Sequence, residues 1–157
     1  MLGMDAQLIT TLLIALVISA TGLQLWLAQR QIRHVQLNRP AVPSAFSSSI
    51  SLEAHQKAAD YTVARQRFSV VHVVLSIVML FGWTLLGGLE TLNLALQPFG
   101  IALGGLGYQV ALIFMFSLIG SVIELPLDWY SHFRIEQRFG FNRMSLGLWL
   151  TDLIKNF

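Results

Sequence analysis

The sequence predicts an all-α, polytopic membrane fold with three full spans and the start of a fourth, and three observations carry that prediction. Of its 157 residues 55% are hydrophobic and only 11% are charged, against roughly 25% charged in an ordinary soluble domain. The ten Lys and Arg leave residues 1–29 and 68–133 without a single basic side chain, which no water-facing surface of that length would tolerate. The apolar stretches also have the length of a bilayer crossing rather than of a buried strand or core helix. Cysteine is absent, so a disulfide framework and a thiolate metal site are excluded.

The first span is Leu8 to Leu27, twenty residues without a charge, which as a helix rise about 30 Å, the thickness of a hydrocarbon core. A cleaved signal peptide competes for this segment, but it would need a basic n-region and a shorter apolar core. The only charge before Leu8 is Asp5. The second span runs from about 68 to 90. The third runs from about 100 to 124 and carries Gly100, Gly104, Gly105, Gly107 and Gly120. Small residues of this kind permit close helix approach in lipid, although Gly104-Gly105 fits flexibility at a span end equally well. A fourth apolar stretch opens at Leu146 and is too short to cross before Phe157, so residues 1–157 are expected to be part of a larger membrane domain.

Charge placement predicts the orientation. Lys and Arg number none before the first span, six between the first and second, none between the second and third, and four after the third. By the positive-inside rule the N-terminus then faces outward and both basic segments face the cytoplasm, in a bacterial inner membrane or, for a eukaryotic source, the endoplasmic reticulum. The same basic residues could suggest a nucleic-acid partner, especially where Trp129, Tyr130, Phe133, Phe139 and Phe141 interleave with Arg134, Arg138 and Arg143. At a membrane boundary that mixture is an interfacial aromatic belt with anchoring cations, so the expected partner is the lipid bilayer and not nucleic acid.

The first basic segment divides in two. Asn38 to Ser49 carries Pro40, Pro43 and a serine run, which predict an extended loop. From Ser51 to Phe81 there is neither Gly nor Pro. Ser51 is a candidate N-cap, Glu53 complements the positive helix end, and four alanines favour helix. A helical extension continuous with the second span is therefore expected. Its Lys57, Arg65 and Arg67 fit either a solvated face or a site for anionic headgroups. In the second basic segment, Pro126 is expected to kink or end the third span.

That second segment carries a resemblance. Leu125-Pro126, Tyr130, Phe133, Ile135-Glu136, Phe139-Gly140-Phe141-Asn142, Asp152 and Ile154-Lys155, preceded by Arg39, Val42-Pro43, Ile50, His55 to Tyr61 and Arg65, resemble the N-terminal membrane domain of the CAAX prenyl protease 1 family of integral-membrane zinc metallopeptidases. The resemblance implies several helices around a large chamber, with the protease motif further along the chain on the cytoplasmic side. It also implies zinc as cofactor of the intact enzyme, the catalytic domain and later spans as partners, and prenylated or other membrane-associated protein C-termini as substrates.

The chemistry of such an enzyme needs HExxH, two imidazoles one helical turn apart holding zinc beside a carboxylate that takes a proton from the bound water. The four histidines, His34, His55, His72 and His132, all lie outside such a motif. No catalytic or metal-binding residue is therefore assigned, and this chain is expected to bind no zinc and to be inactive by itself. A non-enzymatic membrane scaffold or partner-binding module lacking the protease centre is the alternative.

The remaining candidates follow from chemistry and position. Glu136, Phe139, Gly140, Phe141 and Asn142 fit two readings, a segment that packs under the protease domain and shapes the substrate entrance, or a turn joining two spans with Gly140 at positive φ. Glu124 at the end of the third span is expected to face a wet chamber or the interfacial rim, because a charge at the bilayer centre costs at least about 2.5 kcal/mol. Glu90 is expected at the interface, and His72 as an interhelical hydrogen bonder. His132 and Glu136, one turn apart, suggest a local ion pair or cap rather than two ligands of a metal.

Overall fold

The computed structural model describes residues 2–155, with their side chains outside 2–5 and 100–104. Helices α1 (Leu2–Asn38), α2 (Leu52–Thr84), α3 (Gly88–Tyr130), α4 (Gln137–Phe139) and α5 (Leu146–Lys155) are joined by a 3-10 turn at Ser44–Phe46 and a π-helical stretch at Ser131–Glu136. Among the described residues there is no strand, and the all-α polytopic fold stands. Among the described residues three helical stretches are long and apolar enough to cross a membrane, Ala6–Asn38, Leu52–Thr84 and Gly105–Phe139.

The solvent for which this chain is built is visible in what it leaves uncovered. Leu16 is 69% exposed, Ile113 65% and Leu106 78%, while the buried apolar positions among the described residues are Ala28, Ala59, Leu92 and Ile135. A soluble protein rarely exposes contiguous apolar surface on this scale. Lipid offers such side chains an environment as apolar as another helix would.

Helix α2 is the centre of the arrangement, packing against α1 on one side and against α3 and the π-helical stretch on the other. Near one end Phe68 stacks on Tyr130 with ring centroids 5.3 Å apart, and toward the other Trp83 meets Phe116 edge-on at 5.0 Å. The two helices are therefore antiparallel. The expected continuity of the extension with the second span is observed, since α2 is one helix of 33 residues, and the Ser51 hydroxyl caps it by accepting from the Ala54 amide at 3.2 Å. The loop before it is a chain of turns rather than the extended segment expected, because proline and serine favour tight turns as readily as extended chain. Turns at 39–40 and 47–49 stand around the 3-10 turn at Ser44–Phe46, and the Ile50 amide donates to the Phe46 carbonyl at 2.9 Å.

Two span boundaries are revised. The α2 helix closes at Thr84 rather than near residue 90, because Gly87 takes a φ of 77° and a Cβ on Gly88 would sit 2.7 Å from the Gly82 carbonyl oxygen. Gly87 supplies the left-handed backbone and Gly88 the close approach. Helix α3 begins at once at Gly88 but cannot be straight. Fifteen residues of α-helix rise about 22 Å, yet the Tyr108 hydroxyl donates to the Asn93 carbonyl oxygen at 3.0 Å, so α3 folds back between them, where Pro98 breaks the hydrogen-bond ladder. Residues 88–99 thus form an arm at the end of the bundle, with Leu92 buried.

Pro126, in contrast, does not end α3, which continues to Tyr130 and passes into the π-helical stretch. Prolines are tolerated in apolar helices when local changes of helical pitch satisfy the freed carbonyls again. Close approach at the third-span glycines is also not seen at Gly105 or Gly120, where a Cβ would meet nothing within 4 Å. The surroundings of Gly100 and Gly104 lie outside what is described.

Candidate functional site

Most of the residues singled out from sequence gather at the basic end of the bundle, where α1 gives way to α2 and α3 gives way to α5, while Glu90 lies at the opposite end. Asn38 closes α1 just before Pro40, and Arg39 then reaches across to α2, donating from Nε to Asp60 Oδ1 at 2.7 Å and from an η nitrogen to Oδ2 at 2.8 Å. This two-pronged, charge-assisted contact holds the Asp60 carboxyl below the usual carboxylate range. Asp60 lies two turns before the apolar part of α2, which opens at Phe68. A second tie joins the same two helices, with His55 Nε2 3.0 Å from the Asn38 carbonyl oxygen, a hydrogen bond when that nitrogen carries the proton.

Helix α4 ends on the Phe139-Gly140-Phe141-Asn142 signature, and its termination explains each member. Gly140 has a φ of 73°, so its amide donates back to the Gln137 carbonyl at 3.0 Å and the Phe141 amide to the Glu136 carbonyl at 2.9 Å. This pair of bonds is a Schellman closure, which needs a left-handed residue where Gly140 stands. The closure aims both phenylalanines at α2, with Tyr61 meeting Phe139 at 5.5 Å and Phe141 at 4.8 Å between ring centroids. Lys57 Nζ lies 5.6 Å from the centre of the Phe141 ring, and the Tyr61 hydroxyl bonds Arg65 Nη1 at 3.2 Å. Asn142 Oδ1 accepts from the Met144 amide at 2.7 Å, steering the chain to Ser145, whose hydroxyl caps α5 through the Leu148 amide at 3.2 Å. The signature is a junction that ends one helix, seats it on α2 and starts the next.

His132 and Glu136 do not pair. The His132 Nδ1 instead faces Asp128, 3.0 Å from its carbonyl oxygen and 3.3 Å from its carboxylate. The reason is direction, since helical side chains lean toward the N-terminus and His132 meets the residue one turn before it. Glu136 is half-buried and contributes through its carbonyl, which accepts from both Phe141 and Asn142. Asp128 has a further role that sequence reasoning missed, accepting from Trp149 Nε1 at 2.6 Å and so tying α3 to α5. Trp149 also meets Phe133 edge-on at 6.2 Å.

Glu124 is exposed on α3, and Glu90 is exposed on the first turn of α3, where its charge complements the helix end. His72 borders a groove between α1 and α2 and packs edge-on against Phe68 at 5.0 Å. Among the described residues its ring makes no interhelical hydrogen bond. On the other flank of α2 lies a cleft of about 740 Å³, with Arg67, Arg134 and Arg138 around an apolar floor that includes Phe68, Val71 and Ile135. Among the described residues, no group of three or more His, Asp or Glu side chains could hold a metal ion. The donors present here therefore do not fit zinc.

The chain matches, over residues 31–157, the family described as CAAX prenyl protease N-terminal, five membrane helices. It is 27% identical over 139 residues to CAAX prenyl protease 1 of Saccharomyces cerevisiae, covering 83% of this chain and 30% of that protein. Similarity to the Caenorhabditis elegans homolog is 31% over 143 residues, 90% of this chain and 31% of the relative. The Homo sapiens homolog is 28% identical over 146 residues, 84% and 29% respectively. The chain thus spans about 30% of the length of the curated relatives it matches. No solved structure matches it. With the family match covering α2, α3, the signature junction and α5, the chain belongs to the CAAX prenyl protease N-terminal membrane-domain family.

Proposed function

We propose that this chain is the N-terminal membrane domain of a membrane-embedded zinc metalloendopeptidase that cuts near the C-terminus of prenylated or other membrane-associated proteins. The observation that carries the reading is the family match over residues 31–157, which includes the junction that seats α4 on α2 and leads into α5. In this reading the zinc site and the general base come from other parts of the protease, and residues 1–157 supply walls, orientation and an entrance. A prenylated substrate suits such a wall, since an isoprenoid partitions into apolar space. The basic end faces the cytoplasm, with the N-terminus outside, in the endoplasmic reticulum of a eukaryote or the inner membrane of a bacterium. The α5 helix begins a fourth span. Glu124 faces a wet chamber or its rim, and Glu136 to Asn142 lie beneath the catalytic domain at the substrate entrance.

The test is cleavage of a farnesylated C-terminal peptide by the full-length protein in proteoliposomes, with and without a zinc chelator. Chelator-sensitive cleavage is expected. Absence of cleavage by folded, zinc-replete protein would overturn the reading. The entrance assignment has its own test, in which Asn142→Ala lowers turnover of the peptide, and unchanged activity together with unchanged abundance removes it.

A further inference from the structure

The three residues Lys57, Arg65 and Arg67 form one group on paper, but the structure separates them. Lys57 is engaged with the Phe141 ring and Arg65 with the Tyr61 hydroxyl. Arg67 alone turns to the 740 Å³ cleft, where it joins Arg134 and Arg138 from the other wall. Those two are four residues apart, which places them on one side of their helix. Their arrangement depends on α3 running past Pro126 into the π-helical stretch, so sequence reading could not have grouped them with Arg67.

Three guanidinium groups beside one cleft repel one another unless an anion joins them, and the ion pairs among the described residues are elsewhere, at Arg39–Asp60 and Asp128–His132. Asp60, whose carboxyl feels Arg138, is held in two-pronged contact by Arg39, and Glu136, between Arg134 and Arg138 in sequence, makes no ion pair with either among the described residues. Arg134 and Arg138 lie 5.8 and 5.7 Å from the Trp129 and Phe139 ring centroids, and these aromatic contacts leave their charge uncompensated. Position identifies the anion. Arg67 is the last basic residue before the long uncharged part of α2, and Arg134 is the first after that of α3, so the cleft lies where both helices leave the apolar layer. The stacked Phe68–Tyr130 pair and exposed Trp129 mark the same level. The floor of Phe68, Val71 and Ile135 suits the glycerol and first methylenes of an acyl chain, and guanidinium forks suit phosphate oxygens.

We propose that this cleft binds the headgroup of an anionic phospholipid, with Arg67, Arg134 and Arg138 on the phosphate and the acyl chains running down the groove between α2 and α3. This site does not depend on the protease reading, only on the helices crossing a membrane.

Native mass spectrometry of the purified protein in detergent, titrated with phosphatidylglycerol or phosphatidylcholine, tests it. Phosphatidylglycerol is expected to bind at least about tenfold more tightly, and Arg67→Gln, Arg134→Gln and Arg138→Gln each to weaken it about fivefold, the worth of one interfacial cation. Phosphatidylcholine retention stays unchanged, as does phosphatidylglycerol binding in Arg33→Gln, which lies on α1 away from the cleft. Equal binding of the two lipids, or an equal loss in Arg33→Gln, overturns the proposal. Displacement of phosphatidylglycerol by millimolar inorganic phosphate assigns the site to free phosphate and overturns it too. Should a glutamine variant lose helicity by circular dichroism, the two-lipid comparison and the phosphate competition on the unaltered protein still decide.

Discussion

Arg39 and Asp60 stand 21 positions apart in sequence, yet their side chains meet through two hydrogen bonds of 2.7 and 2.8 Å. The contact closes the loop between α1 and α2 and sets the height at which the two helices lie side by side. Both partners are partly exposed, so its value is in register more than in energy. Arg39→Gln and Asp60→Asn are expected to lower the thermal midpoint in detergent by a similar small amount, at most about 3 °C. The double variant should be no worse than either single one, because both remove the same contact. Additive losses would show that the residues act separately.

The same pair predicts a pH dependence. The Arg39 guanidinium holds the Asp60 carboxyl below its ordinary value, so its contribution is complete above the unfolded carboxylate range, near 3.9. It is lost only as pH falls through the lowered folded value. Thermal midpoints of the native protein and Asp60→Asn should therefore differ at neutral pH and converge in strong acid, which a series of melts would read.

Trp149 and Asp128 form the one side-chain hydrogen bond between α3 and α5 among the described residues. Removing the donor with Trp149→Phe is expected to cost about 1.5 to 3 kcal/mol locally, the range for a bond to a charged acceptor. Hydrogen exchange should quicken across residues 146–155 while α1 and α2 are unchanged. Uniform quickening of all helices would contradict this local role.

Gly140 takes its left-handed backbone with room to spare, since a Cβ there would meet only Lys57 Nζ at an ordinary 3.6 Å. Gly140→Ala is therefore expected to cost about 1 to 2 kcal/mol from backbone conformation alone, and Gly140→Asn less. Thermal melts of the two variants check the order. Tyr61→Phe should keep the contacts with Phe139 and Phe141, whereas Tyr61→Ala loses both, about 0.5 to 1.5 kcal/mol for each aromatic pair.

The antiparallel helices put the α1–α2 loop and the signature junction at one end and the Leu85–Gly87 turn at the other. Single cysteines introduced at Gln36 and Phe141 should therefore share one labelling pattern with a membrane-impermeant reagent in intact cells, and one at Leu86 should show the opposite pattern. In the proposed orientation Leu86 is the labelled position. Labelling at Gln36 would reverse the orientation without disturbing the fold.

Much of this architecture is legible in one dimension because lipid imposes a one-dimensional rule. A helix must satisfy its own backbone in an apolar layer, so uncharged stretches and the placement of Lys and Arg are enough to mark the crossing helices. Local chemistry is legible for a similar reason. Ser51 caps α2 and Gly140 reverses the chain through bonds made within a few residues. The family resemblance was equally available, since it rests on the order and spacing of residues such as Phe139 to Asn142.

What the tertiary structure decided concerns partners far apart in sequence and the course of helices around proline. The choice of Asp128 over Glu136 for His132, the Arg39–Asp60 and Trp149–Asp128 ties, and the platform that Tyr61 makes for Phe139 and Phe141 all depend on which helix faces meet. Pro98 and Pro126 look alike in the sequence, yet α3 folds back in the region of the first and runs on past the second. The grouping of Arg67 with Arg134 and Arg138 follows from that second outcome. Sequence alone determined that this chain is built for a membrane and to which family it belongs, because solvent and local backbone chemistry act residue by residue. Which charges share a cleft was decided only when α2 and α3 packed, because electrostatics acts through space.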